Sequence, residues 1–277
     1  MIFIWDLPTP SLRGGCRLSC FSHADADRVG VAVKENGGKY KLLNGNETGL
    51  LLTNYILSQK SIAGTLGAYP TVIKTIVSTD MAFSVAKKYG ASVKEVLTGF
   101  KYIGELMDEL DNFVIGFEES YGYLIGAHAR DKDAVSASMM IAEMCAYYKS
   151  IGKSLSEVLT ELYEEHGYYK TALVSVSYPG KAGMDEMNTL IKDIRTAPPT
   201  EIFGKAVDFT DYKNGVYGLP KSDVMRFKNE VFSVIIRPSG TEPKLKIYFS
   251  MKAENANEAD SQIFALISEV KGSLLKN

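Results

Sequence analysis

Five short stretches of this sequence gather side chains able to hold a charged or hydroxylated ligand. The first is R237-P-S-G-T241, entered from the apolar run V231-F-S-V-I-I236 and left through L245-K-I-Y-F249. A plain hairpin needs only a two-residue turn, whereas this tip is longer and full of donors. Arg237 offers a planar fork, Ser239 and Thr241 offer hydroxyls, and Gly240 lets backbone N–H groups approach closely. That inventory suits an oxyanion with several acceptors, above all a phosphate; a decorated surface hairpin is the plainer reading.

The second stretch is H23-A-D-A-D-R28. His23, Asp25 and Asp27 alternate, so a turning loop can aim all three the same way, and hard carboxylate oxygens favour Mg²⁺ or Mn²⁺. An EF-hand is excluded, because Arg28 stands at the required glycine and Lys34 at the bidentate glutamate. An acidic turn at a strand start is the alternative. The third, G116-F-E-E-S-Y-G122, places Glu118, Glu119 and Ser120 where a strand hands over to a loop, a common place for ligand groups. Paired carboxylates beside a hydroxyl suit the O–H donors of a sugar. The fourth is T98-G-F-K101, whose Lys101 can reach a phosphate or sugar oxygen or stay solvated. In the fifth, H128-A-R-D-K-D133, two basic residues and an imidazole precede a helix, and an N-cap role for Asp133 explains part of the run without a ligand.

The elements that must carry these stretches follow from periodicity. Residues 1–22 are broken by Pro8, Pro10, Gly14 and Gly15 and give no clear element. V29-G-V-A-V33 and K39-Y-K-L-L43 read as strands joined by the turn E35-N-G-G38. N44-G-N-E-T48 opens a helix. Strands at 71–77, 92–97 and 113–116 then alternate with helices at 81–89 and 102–110, with Asp80 expected to cap the first of these and Gly90 to stop it. This alternation predicts an α/β layer with a parallel or mixed sheet. Helices at 133–149 and 154–165 follow, the second opening on the capping box S154-L-S-E157. Beyond Tyr168 a strand (171–178), a helix (184–195), more strands and a last helix (257–270) predict a separate, smaller α+β domain.

The bulk numbers fit that division. At 277 residues, 45% hydrophobic and 23% charged, the chain is long enough for roughly two domains. A net charge of −2 with both signs interspersed argues against a nucleic-acid partner. No apolar run approaches the ~20 residues of a membrane span. Three cysteines without C-x-x-C spacing predict neither a disulfide framework nor a zinc site, so a reducing cytoplasm is the expected setting.

Taken together and in this order, the acidic loop, G-F-K, G-F-E-E-S-Y-G, H-x-R-x-K-D and R-P-S-G-T-E-P-K resemble the α-D-phosphohexomutase superfamily, in particular its bacterial phosphoglucomutase/phosphomannomutase branch. The resemblance runs from about His23 to the C-terminus. It implies a mixed-sheet α/β domain followed by a smaller α+β domain similar to the TATA-box-binding-protein fold. On that map 1–44 is the tail of a second domain, 45–169 the sugar-binding α/β domain and 170–277 the phosphate-binding α+β domain. The implied reaction interconverts hexose 1-phosphate and hexose 6-phosphate through a phosphoserine enzyme and a 1,6-bisphosphate. By motif, Asp25 and Asp27 match metal-loop aspartates that would hold Mg²⁺, and Arg28 the arginine closing that loop. Glu118 and Ser120 match residues binding sugar hydroxyls, Lys101 the G-F-K lysine beside the substrate, and Lys132 a lysine proposed to assist proton transfer. Arg237, Ser239, Gly240 and Thr241 match the loop gripping the distal phosphate.

Two departures stand out. His23 replaces the aspartate that opens the family's metal loop, which lowers the charge of the site and its preference for Mg²⁺. The segment ending C20-F-S22 replaces the apolar strand expected before it, so 1–24 are expected to lie outside a native strand, as at a reading-frame boundary. The family's phosphoserine lies in a T-x-S-H-N-P-like loop of a first domain; here the one Ser-His, Ser22-His23, is followed by Ala-Asp. The chain alone is therefore expected to lack mutase activity and to need the N-terminal domains as partner. Two rival readings are a non-catalytic phosphosugar-binding module and a haloacid-dehalogenase-type phosphatase, whose D-x-D-x-[T/V] pattern fits D25-A-D-R-V29. The latter needs an apolar strand directly ahead of the first aspartate, for which C20-F-S-H-A24 is poor.

Overall fold

The structure, a computed structural model, describes residues 18–22, 24–35, 38–239 and 242–275. His23, Gly240 and Thr241 lie outside the described residues. The chain divides into two compact units, 1–166 and 167–277.

The first unit opens with an antiparallel meander of β1 (Leu18–Ser22), β2 (Val29–Lys34) and β3 (Tyr40–Leu43), in that order. The strand β1 corrects the expectation of no strand at 18–22, while 1–17 and His23 lie outside the described residues. Its register sets Leu18 against Val33, Cys20 against Val31 and Ser22 against Val29. The buried strand β2 (VGVAVK) needs backbone partners on both sides, and C20-F-S22 supplies them despite its mixed side chains, because ladder bonds are made by the main chain.

The α/β layer follows. Helix α1 (Gly45–Ile62) starts from a complete capping box, Asn44 Oδ1 accepting the Glu47 N–H at 2.9 Å and Glu47 Oε2 accepting that of Asn44 at 2.9 Å. After it come β4 (Thr71–Thr75), α2 (Met81–Lys88), β5 (Ser92–Val96), α3 (Phe100–Met107), β6 (Phe113–Phe117), β7 (Tyr123–Ile125), α4 (Ala134–Ser150) and α5 (Leu155–His166). The sheet order is β5-β4-β6-β7. The first three strands are parallel and β7 is antiparallel to β6, a mixed sheet as expected. The three-residue β7 lies beyond sequence reasoning because its apolar run is too short to show a period.

Asp80 departs from its expected role, making no cap hydrogen bond at the start of α2. Its carboxylate instead takes Lys74 Nζ at 3.0 Å. Lys74 is fully buried on the central strand β4, and its ammonium also meets Glu95 Oε1 at 2.7 Å and the Ser78 carbonyl at 3.2 Å. Burying an unpaired ammonium costs several kcal/mol, more than the ~1 kcal/mol of a helix cap, so the ion pair takes the carboxylate.

The second unit comprises β8 (Tyr168–Ser177), α6 (Gly180–Thr196), a small hairpin of β9 (Glu201–Ile202) and β10 (Lys205–Ala206), β11 (Asp208–Asp211), β12 (Met225–Lys228), β13 (Phe232–Pro238), β14 (Lys244–Ala253) and α7 (Ala256–Ser273). Five strands form one antiparallel sheet in the order β11-β12-β13-β14-β8. Phe227, Val234, Ile236, Leu245, Ile247 and Phe249 share a core with Ile191 of α6 and Leu266 of α7. Because strand side chains alternate, Arg226, Ile235, Arg237, Lys246 and Tyr248 share the opposite face. No described helix is long and apolar enough to cross a membrane.

Candidate functional site

In the first unit the polar stretches meet where three loops are joined by main-chain bonds. The turn after β6 closes through the Glu118 N–H donating to the Gly122 carbonyl at 2.9 Å. The acidic turn between β1 and β2 is tied to it: Arg28 bridges Gly122, and the Val29 N–H donates to the Tyr121 carbonyl at 3.1 Å. The start of α4 is tied in as well, the Ala134 N–H donating to the Ala26 carbonyl at 3.0 Å.

Four side chains selected by sequence converge there. Lys132 Nζ lies 3.5 Å from Asp27 Oδ2 and 2.9 Å from Asp131 Oδ1, and 5.4 Å from the centre of the Phe100 ring. Arg28 Nε is 3.8 Å from the same Asp27 oxygen. Gly122 makes room for this arrangement. A Cβ there would stand 2.5 Å from Lys132 Cδ and 3.3 Å from Glu118 Oε2, so the lysine stem and the glutamate flank the same backbone point. Glu118 is buried, and its Oε1 accepts the Gly99 N–H at 3.0 Å. Burial pushes its carboxyl up; the Gly99 N–H, Lys132 and Arg28 pull it back only in part, leaving it above the ordinary glutamate range.

Other predicted residues have plainer surroundings. Ser120 is half-buried within the same turn. Lys101, exposed on the first turn of α3, holds its ammonium over the Tyr102 ring at 4.7 Å. His128 completes a helix start: its Nε2 is 2.8 Å from Asp133 Oδ2, while Asp133 Oδ1 accepts the Val135 N–H at 2.9 Å. Asp25 is exposed on the acidic turn. Among the described residues no group of three or more His, Cys, Asp or Glu side chains is arranged to hold a metal. Asp25 and Asp27 are two hard oxygen donors, a set that fits Mg²⁺ with phosphate and water completing its shell. The acidic turn joins two antiparallel strands, which leaves the phosphatase reading without the apolar strand–aspartate arrangement it needs.

Sequence reasoning missed two supporting groups, Gly99 and Lys74, and placed a third, Glu119, beside Glu118 as a paired carboxylate. Gly99 has φ +123 and carries the N–H that meets Glu118, a conformation open to glycine; the G in T-G-F-K was the available signal. Glu119 turns away from Glu118 and takes the hydroxyls of Thr75 at 3.3 Å and Ser78 at 3.5 Å. Lys74, which holds the Ser78 carbonyl, reads in the sequence as an ordinary strand lysine.

In the second unit, β13 ends on Arg237 and Pro238, and the Ser239 N–H donates to the Lys244 carbonyl at 2.8 Å across the tip. Arg237 is half-buried and directly opposite Lys246. Lys244 Nζ is paired with Glu242 Oε2 at 3.1 Å.

Residues 44–166 match the family of phosphoglucomutase/phosphomannomutase α/β/α domain III, and 173–263 match the family of the corresponding C-terminal domain. A phosphoglucomutase of Staphylococcus aureus (strain USA300) is 36% identical over 258 residues, covering 88% of this chain and 46% of its own length. The chain thus spans about half the length of the curated relatives it matches. Among solved structures, the open form of the exocytosis-sensitive phosphoprotein pp63/parafusin, a phosphoglucomutase from Paramecium, superposes with a TM-score of 0.72 at 20% identity, over 92% of this chain and 44% of that one. Aspergillus fumigatus N-acetylphosphoglucosamine mutase, in a complex with GlcNAc-6P and magnesium, gives 0.53 at 15% identity, over 92% and 48%.

Proposed function

The chain belongs to the phosphoglucomutase/phosphomannomutase family, of which it is a C-terminal half, and we propose that it supplies the sugar-binding and phosphate-binding loops of a hexose phosphate mutase. The observation that carries this reading is the buried Glu118 carboxylate, held by the Gly99 N–H beside Lys132, Arg28 and Asp27. A carboxylate in that position accepts two hydroxyls of a sugar ring, and the cations beside it balance the charge of an incoming phosphate.

In this reading 1–44 is the remainder of a second domain, 45–169 binds the sugar and 170–277 the distal phosphate. Glu118 and Ser120 take ring hydroxyls, and Lys101 a substrate oxygen. Lys132 holds or releases a proton at the reacting hydroxyl, and Arg28 fixes the Asp27 carboxylate. Arg237, Ser239, Gly240 and Thr241 grip the phosphate that is not transferring. Asp25, Asp27 and His23 are the candidates for holding Mg²⁺, which when bound would neutralise charge on the transferring phosphoryl group. A phosphoserine from preceding domains donates that group, a 1,6-bisphosphate forms, and the serine takes back the other phosphate. Catalysis then rests on positioning and charge neutralisation. A cytoplasmic setting belongs to the same reading.

A second reading, a phosphosugar-binding module without turnover, rests on the same buried Glu118 and Arg237 tip. One experiment separates the two. Glucose 6-phosphate binding is followed by NMR on the chain alone, and glucose 1-phosphate turnover is measured with and without the N-terminal half of the Staphylococcus aureus relative. The proposal expects binding by the chain, abolished in Glu118→Ala, and turnover only in the mixture. Turnover by the chain alone refutes the need for an outside phosphoserine; absence of binding refutes the sugar site.

A further inference from the structure

We infer that one face of α3, carrying Phe100, Gly104 and Asp108, is the track that sets the position of Lys132, with Gly104 and Arg130 as positioning residues for the reaction. The inference rests on reading Lys132 as the lysine at the reacting hydroxyl. Residues four apart form a ridge along a helix, and the loop 128–132 touches this ridge at each step. Lys132 Nζ is 5.4 Å from the centre of the Phe100 ring. One turn on, a Cβ on Gly104 would stand 2.1 Å from the Arg130 carbonyl oxygen. A further turn on, Arg130 Nε meets Asp108 Oδ1 at 2.5 Å. Ala129, between the two ends of the loop, packs against the cluster that holds Phe100, Ile103 and Met107.

Gly104 is the notch in that ridge. Glycine weakens a helix interior relative to alanine, so its place in the middle of α3 needs a reason, and the Arg130 carbonyl supplies one. Ordinary contact begins at about 3.4 Å, so a methyl here would part helix and loop by about 1 Å or more. The obstructed atom is main chain and cannot turn aside. Arg130 also stiffens the loop from within, its Nη1 donating to the carbonyls of Ala127 at 3.0 Å and Ala129 at 3.1 Å. Displacement at Arg130 therefore carries to Lys132, two residues on. Lys132 has little room to compensate: its side chain is 13% exposed, and a Cβ on Gly122 would stand 2.5 Å from its Cδ. The Arg130 and Asp108 side chains are each about half exposed, so their ion pair adds little stability. Its effect is to register the loop on the helix.

The test reads that position in the full chain by NMR, with isotope-labelled lysine and protonated phenylalanine in a deuterated background. Lys132 methylene protons should give a nuclear Overhauser cross-peak to the Phe100 ring, assigned by its absence in Lys132→Met. Gly104→Ala should abolish it. Asp108→Lys sets a like charge beside the guanidinium and should weaken it without moving the urea midpoint. Glu105→Lys, the same charge change at an exposed position of α3 off the track, should leave it alone. Far-ultraviolet circular dichroism checks folding, and Asp108→Lys carries the test if Gly104→Ala does not fold.

In the mixture with the N-terminal half of the Staphylococcus aureus relative, Gly104→Ala should lower kcat for glucose 1-phosphate about a hundredfold, the cost of misplacing a reacting group by about 1 Å, and leave KM unchanged. A folded Gly104→Ala that keeps the cross-peak, or an Asp108→Lys that matches Glu105→Lys, overturns the track and leaves the sugar phosphate reading intact. A lost cross-peak with kcat unchanged overturns the positioning role. A lost cross-peak in a chain whose wild type binds no glucose 6-phosphate supports the track and refutes the sugar site.

Discussion

Replacing Lys74 by methionine should cost the first unit about 3 kcal/mol, although no loop residue is touched. The methionine keeps most of the aliphatic stem, so little cavity is created, and the loss is electrostatic. The ammonium is fully buried and meets four acceptors: Glu95 Oε1, Asp80 Oδ1 and the carbonyls of Ser78 and Thr75. Both carboxylates lie within 3.0 Å of one nitrogen. Without it they face each other at ~5 Å, a repulsion of about 3 kcal/mol at an effective dielectric of 20. Their side chains are 24% and 22% exposed, so water recovers part of this, while the lost hydrogen bonds add to it. Hydrogen exchange of residues 71–77 across a urea series reads the unit directly. The double variant Lys74→Met/Glu95→Gln should be more stable than the single one, because the opposed charges are gone. A single variant within about 0.5 kcal/mol of wild type, the usual range for an ordinary surface substitution, would refute the reasoning. The pH dependence has a definite sign. Burial pulls the Lys74 ammonium down, but Glu95 and Asp80 outweigh it, so its pKa ends above 10.5. The stabilisation is complete below the ordinary lysine value and is lost as pH rises through the folded one. Lys74→Met should therefore lose the wild type's alkaline decline.

Gly45→Ala should be severely destabilising, because a Cβ there would lie 2.1 Å from the Glu119 carbonyl oxygen, which is backbone and cannot turn aside; thermal unfolding checks it. Gly122→Ala should fold but lose glucose 6-phosphate binding, since the obstructed atom, Lys132 Cδ at 2.5 Å, belongs to a side chain that can swing off Asp27; calorimetry against the melting temperature separates the two effects. Burial raises the Asp133 carboxyl, but hydrogen bonds from His128, Ser136 and the Val135 N–H bring it down to about 2. Its stabilising contribution is thus present above the ordinary 3.8 and lost as pH falls towards 2, and Asp133→Ala should cost about 1 kcal/mol at neutral pH. Carbon-detected NMR titration of the carboxyl checks the first, and urea unfolding the second.

Much of this was legible because local chemistry leaves local marks. Asn44, Ser154 and Asp133 announced helix starts, and each cap is made. The apolar runs V231–I236 and L245–F249 on either side of a donor-rich tip marked a hairpin, and β13 and β14 pair across it. Asp80 carried the same mark and misled, because a lysine six residues earlier needed a counter-charge more than the helix needed a cap. That competition is tertiary and leaves no period to read. The strand Leu18–Ser22 was illegible for a related reason: its pairing is demanded by β2 and not by its own side chains. Motif order pointed to Asp27, Arg28, Glu118 and Lys132, and these four side chains lie together. Gly99 and Glu119 work through a backbone N–H and a second layer of hydroxyls, which residue type alone does not display.

The bridge between Arg28 and Gly122, with its flanking bonds from Val29 to Tyr121 and from Ala134 to Ala26, has a consequence for change over generations. Lengthening or shortening the turn after β6 by one residue would drag the acidic turn and the head of α4 with it. Side chains here can therefore be exchanged on a fixed frame, while insertions are confined to stretches outside this three-way splice.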